Sequence, residues 1–121
     1  MKIYIICPVR KQTEKQTKFI EKYVNEFEKN GHSVFYPKRD APQECETGYR
    51  IIESELNAIK EADSIHVFWD VESKGSHFDL GMAYALNKDI NFIYLFQSDS
   101  KGKSYVKAMK EYYIHRCFID P

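Results

Sequence analysis

Residues 65–81 read Ile65-His66-Val67-Phe68-Trp69-Asp70-Val71-Glu72-Ser73-Lys74-Gly75-Ser76-His77-Phe78-Asp79-Leu80-Gly81. Ile65–Trp69 is a continuous apolar run that ends in Asp70, the pattern of a strand buried on both faces. A polar loop with Ser73, Gly75 and Ser76 follows, and the spacing predicts a helix from near Ser76. Strand, tight loop and helix in that order make half of a βαβ unit, and the same alternation extends in both directions.

Toward the N-terminus, Lys2–Cys7 is a short strand rich in Ile and Tyr, closed by Pro8. Thr13 and Gln16 fit a capping box. Phe19, Ile20, Tyr23, Val24 and Phe27 then recur at helical spacing until Asn30-Gly31. Ser33–Tyr36 is a second strand, and Lys38–Gly48 reads as an exposed loop longer than a plain connection needs. A helix is expected over Tyr49–Ala62, with Ile52, Leu56 and Ile59 as its buried stripe. Toward the C-terminus, Ile90–Phe96 is a fourth strand, Lys103–Tyr112 a last helix and Ile114–Phe118 a short fifth strand. The expectation is an α/β fold with a three-layer, doubly wound parallel sheet of about five strands, flavodoxin/Rossmann-like. It forms a single domain over 1–121. Ligands of such sheets bind beyond the carboxyl ends of the strands, near the switch in strand order.

Composition narrows the function. The 121 residues balance 18 basic against 18 acidic side chains, so bulk electrostatics point to no nucleic-acid polymer and no membrane surface. No apolar run approaches the ~20 residues of a membrane span, and the N-terminus reads as a strand rather than a signal peptide. Cys7, Cys45 and Cys117 are odd in number and far apart, which fits a reduced, cytoplasmic protein.

The loop before the third helix is a natural anion site, because free N–H groups and the helix dipole point at it. Asp79 in the first turn of a helix starting near Ser76 is favoured in its ionised form, by about 0.3–1 kcal/mol. Ser76 as N-cap with Asp79 three residues on makes an equally good capping box, a purely structural role. Arg10, just past the first strand, can grip a phosphate or carboxylate bidentately or stand as surface charge. Glu55 borders the apolar stripe of its helix and can point toward the sheet edge. His66 reads as a hydrogen-bonded core residue, and His77 as a candidate ligand contact. No His, Cys and Asp set has metal-ligand spacing, and neither a nucleophile elbow nor a P-loop is present. Asp70 suggests a receiver domain, but Cys7-Pro8 stand where the acidic pair belongs. The first loop also lacks a flavin-phosphate run. Arg10 follows Cys7 too closely for a phosphatase loop.

In order and spacing, four segments resemble the nucleoside 2-deoxyribosyltransferase superfamily. They are Tyr4-Ile5-Ile6-Cys7-Pro8-Val9-Arg10, Ile51-Ile52-Glu53-Ser54-Glu55-Leu56 leading to Ala62-Asp63, Ser73-Lys74-Gly75-Ser76, and Phe78-Asp79-Leu80-Gly81-Met82-Ala83. They look closest to its 2'-deoxynucleoside 5'-phosphate N-hydrolase branch. The resemblance implies a homodimer that cleaves the N-glycosidic bond of a nucleotide or nucleoside through a carboxylate nucleophile, without cofactor or metal. It maps the nucleophile onto Asp79 and a second carboxylate onto Glu55. The 5'-phosphate falls to Arg10, Ser73 and Gly75, with the backbone at Ser76, and Tyr4 lies near the sugar or base. Two departures stand out: Asp replaces the family's Glu as nucleophile, and Glu replaces its Asp as partner. Cys7-Pro8 also replaces small Gly and Ser residues. The expected reaction is hydrolysis of a (deoxy)nucleoside 5'-monophosphate to free base and sugar phosphate. The alternatives are deoxyribosyl transfer between bases and a non-catalytic nucleotide-binding module.

Overall fold

The computed structural model describes the backbone of residues 1–98 and 101–119 and the side chains of 1–98 and 101–113. Ser100 of the last loop and the side chains of His115 and Cys117 lie outside the described residues. Four strands and five helices alternate: β1 (Lys2–Ile6), α1 (Glu14–Lys29), β2 (Ser33–Phe35), α2 (Pro37–Asp40), α3 (Tyr49–Glu61), β3 (Ser64–Asp70), α4 (Lys74–Ala85), β4 (Ile90–Gln97) and α5 (Tyr105–Ile119). The strands form one parallel sheet in the order β2-β1-β3-β4, with Lys2 opposite Ser33, Ile3 opposite Ser64 and Ile65 opposite Ile90. From β1 the chain winds first to one side and then, past β1, to the other. The switch point is therefore the crevice between β1 and β3 at their carboxyl ends.

Alternation along β1 divides the core in two. Ile3, Ile5 and Cys7 face α1, where they pack with Ile20, Val24, Val34, Tyr36 and Phe68. Tyr4 and Ile6 face the opposite layer, with Ile59 of α3, Leu80 and Ala83 of α4, and Val106 of α5. Burial on both faces explains why the strands read as unbroken apolar runs. The Thr13–Gln16 capping box forms with both of its hydrogen bonds, at 3.1 and 3.0 Å. Gly31, at φ 90°, turns the chain out of α1 in a conformation that other residues resist. Among the described residues no helix is long and apolar enough to cross a membrane.

Three expectations need correction. Ile114–Phe118 is not a fifth strand, because α5 continues to Ile119. No Gly, Pro or Asn stands between Tyr112 and Ile114 to stop the helix. The Lys38–Gly48 loop is also shorter than expected, since Pro37 starts the single turn of α2. On α3 only Ile59 of the expected stripe is buried, and Ile52 is 41% exposed. The helix is rolled so that half-buried Glu55 and Ala58 share the inner side with Ile59 and Ala62.

Truncation should report this roll. Ile59→Ala, at a fully buried site, should cost about 2–5 kcal/mol, whereas Ile52→Ala should cost about 1 kcal/mol or less. Urea unfolding of the two variants distinguishes the faces; equal losses would contradict the observed orientation.

Candidate active site

Tyr4 lies inside β1, on the face covered by α3 and α4, and its side chain is fully buried. A buried phenol needs a polar partner, and this one has two. Its hydroxyl lies 2.9 Å from Glu55 Oε2 on α3 and 2.9 Å from Asp79 Oδ2 on α4. Two bonds meeting at one oxygen hold the carboxyl oxygens under about 6 Å apart. The phenol has only one hydrogen to share between two acceptors. With both acids ionised, one of these contacts would set two oxygen lone pairs against each other. The cluster is complete when one carboxyl keeps a proton.

The electrostatics agree. Burial, and after it the neighbouring charge of Glu55, pushes Asp79 up to about 8; the hydrogen bond from Tyr4 pulls it down, and the one shared with Glu55 pushes it further up. Tyr4 is driven far above the phenol range, first by burial and then by the charges of Asp79 and Glu55, so it keeps its hydrogen. This corrects the expectation of an Asp79 ionised by the helix dipole. The N-cap is Ser73, whose Oγ accepts from the Ser76 N–H at 3.3 Å, and α4 starts at Lys74. Asp79 thereby falls in the second turn, where the end dipole has faded. With the residue 6% exposed, desolvation prevails.

The other expected residues surround this pair unequally. Arg10 is exposed on the loop after β1 and has no ion-pair partner among the described residues. Ser73 caps α4, and among the described residues no hydrogen-bond partner meets the N–H groups of Lys74 and Gly75 at the helix start. Gly75 is exposed there. The Ser76 hydroxyl is buried against Ser73 Oγ at 2.8 Å, so only Ser73 and the backbone present polar groups outward. Tyr4, Glu55 and Asp79 are in mutual contact; among the described residues no hydrogen bond or ion pair joins them to Arg10 or Ser73.

His66 is a core residue as expected, between Tyr23 OH at 2.6 Å and Ser64 Oγ at 3.0 Å, on the α1 side of the sheet. His77 is held at Nδ1 by the Ser73 carbonyl, 2.7 Å away, and packs on Trp69 with ring centroids 4.7 Å apart. No group of three His, Cys, Asp or Glu side chains able to hold a metal occurs among the described residues. Sequence reasoning passed over Gln12, whose amide carbonyl accepts from Thr17, Tyr36 and Lys38 while its amide nitrogen donates to the Pro8 carbonyl. A lone Gln in a polar loop carries no pattern that would have marked it.

The chain as a whole is similar to known proteins. The family model for nucleoside 2-deoxyribosyltransferase matches residues 3–113. Among solved structures, the CMP N-glycosidase BcmB of Clostridium botulinum superposes with a TM-score of 0.64 at 20% identity, over 93% of this chain and 81% of that one. The 2-deoxyribosyltransferase of Bacillus psychrosaccharolyticus gives 0.68 at 25% identity, over 84% and 77%. The Leishmania mexicana 2-desoxiribosyltransferase gives 0.61 at 19%, over 80% and 65%. No curated protein matches in sequence. With all but the extreme ends of the chain inside the family match, and with the doubly wound sheet it shares with these structures, the protein belongs to the nucleoside 2-deoxyribosyltransferase family of enzymes.

Proposed function

We propose that this enzyme hydrolyses the N-glycosidic bond of a nucleoside 5'-monophosphate, with Asp79 as nucleophile. The observation that carries the reading is the Tyr4 hydroxyl, with its single hydrogen, set 2.9 Å from both the half-buried Glu55 carboxyl and the buried Asp79 carboxyl. Carboxyls held this close suit a retaining displacement, in which the two acids stand about 5–5.5 Å apart. Asp79 attacks C1' as the C1'–N bond breaks through an oxocarbenium-like state. The proton held by the pair goes to the departing base. Water then attacks C1' of the glycosyl ester, and its proton returns to the pair. One proton on two carboxyls is thus the resting state to which the cycle returns. Arg10 and the free N–H groups at the start of α4 take the phosphate. The likeness to a CMP N-glycosidase supports hydrolysis.

Deoxyribosyl transfer is the second reading, favoured by the 25% identity and TM-score of 0.68 to a 2-deoxyribosyltransferase. Incubation with a nucleotide, or with a nucleoside, and a second free base separates the two, because only a transferase makes the corresponding base-exchanged product. A homodimer belongs to the same proposal. Tyr49 and Ile52 of α3 and Phe78 of α4, all exposed, are apolar material for its interface; light scattering at the monomer mass of 14.3 kDa would remove it.

Asp79→Asn should abolish base release, read by chromatography over a panel of nucleoside monophosphates; a variant as active as the parent refutes the assignment. The same variant should gain stability. Folded Asp79 holds its proton up to about 8, whereas unfolded Asp loses it near 3.9. The parent therefore loses stability as pH rises through that window, and the Asn variant does not. The difference in Tm between them should grow from pH 4 to pH 8. The basic limb of kcat/KM should likewise lie near pH 8, since the cycle runs on the pair that still holds one proton. Tyr4→Phe removes the shared hydrogen bond and should lower kcat by about 10-fold or more while moving that limb; an unshifted profile would separate Tyr4 from the acids' ionisation.

A further inference from the structure

We propose that Lys38 is a second cation of the substrate site and binds the anionic phosphate of the nucleotide together with Arg10. The inference rests on the nucleotide reading above and extends it to a residue outside the family-derived set. Lys38 Nζ donates to Gln12 Oε1 at 3.0 Å and to Thr17 Oγ1 at 2.9 Å. Both acceptors are neutral, and no carboxylate lies within ion-pair distance of Lys38 among the described residues. Its neighbour Arg39 shows the contrast, since its guanidinium is bound by both Glu28 and Asp40. Lys38 is thus held in place without being neutralised, and its third N–H remains free.

Gln12 links this ammonium to the Arg10 loop. Its Nε2 donates to the Pro8 carbonyl at 2.7 Å, closing the loop that carries Arg10 between them. Its Oε1 also accepts from Tyr36 OH at 3.0 Å. One braced amide thus holds the Lys38 ammonium and ties down the loop that carries Arg10, past the carboxyl ends of β1 and β2. A phosphate monoester carries about −1.5 to −2 at neutral pH, and Arg10 alone supplies only one positive charge. Lys38 brings the count to two. Lys38 is a binding residue here, and Gln12 acts through it and through the loop as a positioning residue.

The test compares Lys38→Gln and Lys38→Arg with the parent on the ribo- and deoxynucleoside 5'-monophosphates and the matching nucleosides. Lys38→Gln should reduce the preference for monophosphate over nucleoside, as a ratio of kcat/KM, by about 10-fold or more, mostly through KM, and Lys38→Arg should restore most of it. An unchanged ratio overturns the proposal, as does a loss equal on both substrate types. If no substrate releases base, the glycosidase reading fails separately and the inference is judged by calorimetry. There, the affinities for the monophosphates and for inorganic phosphate should fall about 10-fold in Lys38→Gln, and equal affinities would refute it.

Discussion

One hydrogen shared among the oxygens of Tyr4, Glu55 and Asp79 governs the rest of this molecule. Tyr4 brings the hydroxyl from the centre of the sheet, while Glu55 and Asp79 bring carboxyls from two helices that must lie over the same strand. The cluster is fully hydrogen-bonded, yet it is satisfied only in a protonation state that free carboxylic acids do not hold at neutral pH. Desolvation, mutual repulsion and the count of available hydrogens all favour keeping one proton on the pair. The fold bears this because the surrounding layer of Ile6, Ile59, Val67 and Leu80 is dense and apolar. The same layer keeps water from relaxing the strain between the acids. Stability is thereby given up at the place where chemistry is proposed, a common trade in enzyme sites.

The Asp-for-Glu and Glu-for-Asp exchange seen in the sequence takes on a physical meaning around that hydroxyl. Shortening one arm by a methylene would by itself withdraw a carboxyl by about an ångström, a displacement large enough to affect rate strongly. Both arms nevertheless reach the same phenol oxygen at equal distance. The longer side chain comes from α3, whose inner side presents Glu55 only half-buried. The shorter one comes from α4, where Asp79 is almost wholly enclosed. An exchange of long and short arms, as the family resemblance implies, is compatible with such a common meeting point.

Much of the architecture was legible because it follows from period and punctuation. Unbroken apolar runs gave the parallel strands, Thr13 and Gln16 the start of α1, and Asn30-Gly31 its end. The cluster at the site was legible only in part, because hydrogen bonds between distant residues leave no periodic trace. On α3, apolar spacing favoured Ile52 and Leu56 for the inner face, but Tyr4 draws Glu55 inward and rolls the helix accordingly. In the loop before α4 two serines competed for the cap; Ser73 prevailed because its hydroxyl reaches the Ser76 N–H. That shift of three residues moved Asp79 beyond the helix-end dipole and reversed the expected sign of its ionisation. At the C-terminus, β-branched and aromatic residues suggested a strand, but without a breaker the helix continued.

The cations at the rim and the acids in the floor are best understood as one device. With the pair's proton resting on Asp79 that carboxyl cannot attack a sugar carbon, so moving the proton off Asp79 must be offset by something present only when substrate is bound. An oxocarbenium-like charge at C1' supplies part of it, since positive charge beside a carboxylate in a poorly solvated cleft is strongly favourable. Holding that charge in place requires a remote grip on the substrate, and interactions at the phosphate can provide it without touching the reacting bond. Arg10 is suited to such a grip because no carboxylate neutralises it, and Lys38 shares that property through its neutral tethers on Gln12 and Thr17. A nucleoside without its phosphate would still fit the floor but would leave the rim cations without a ligand, so the acids would have to lose their proton with less help.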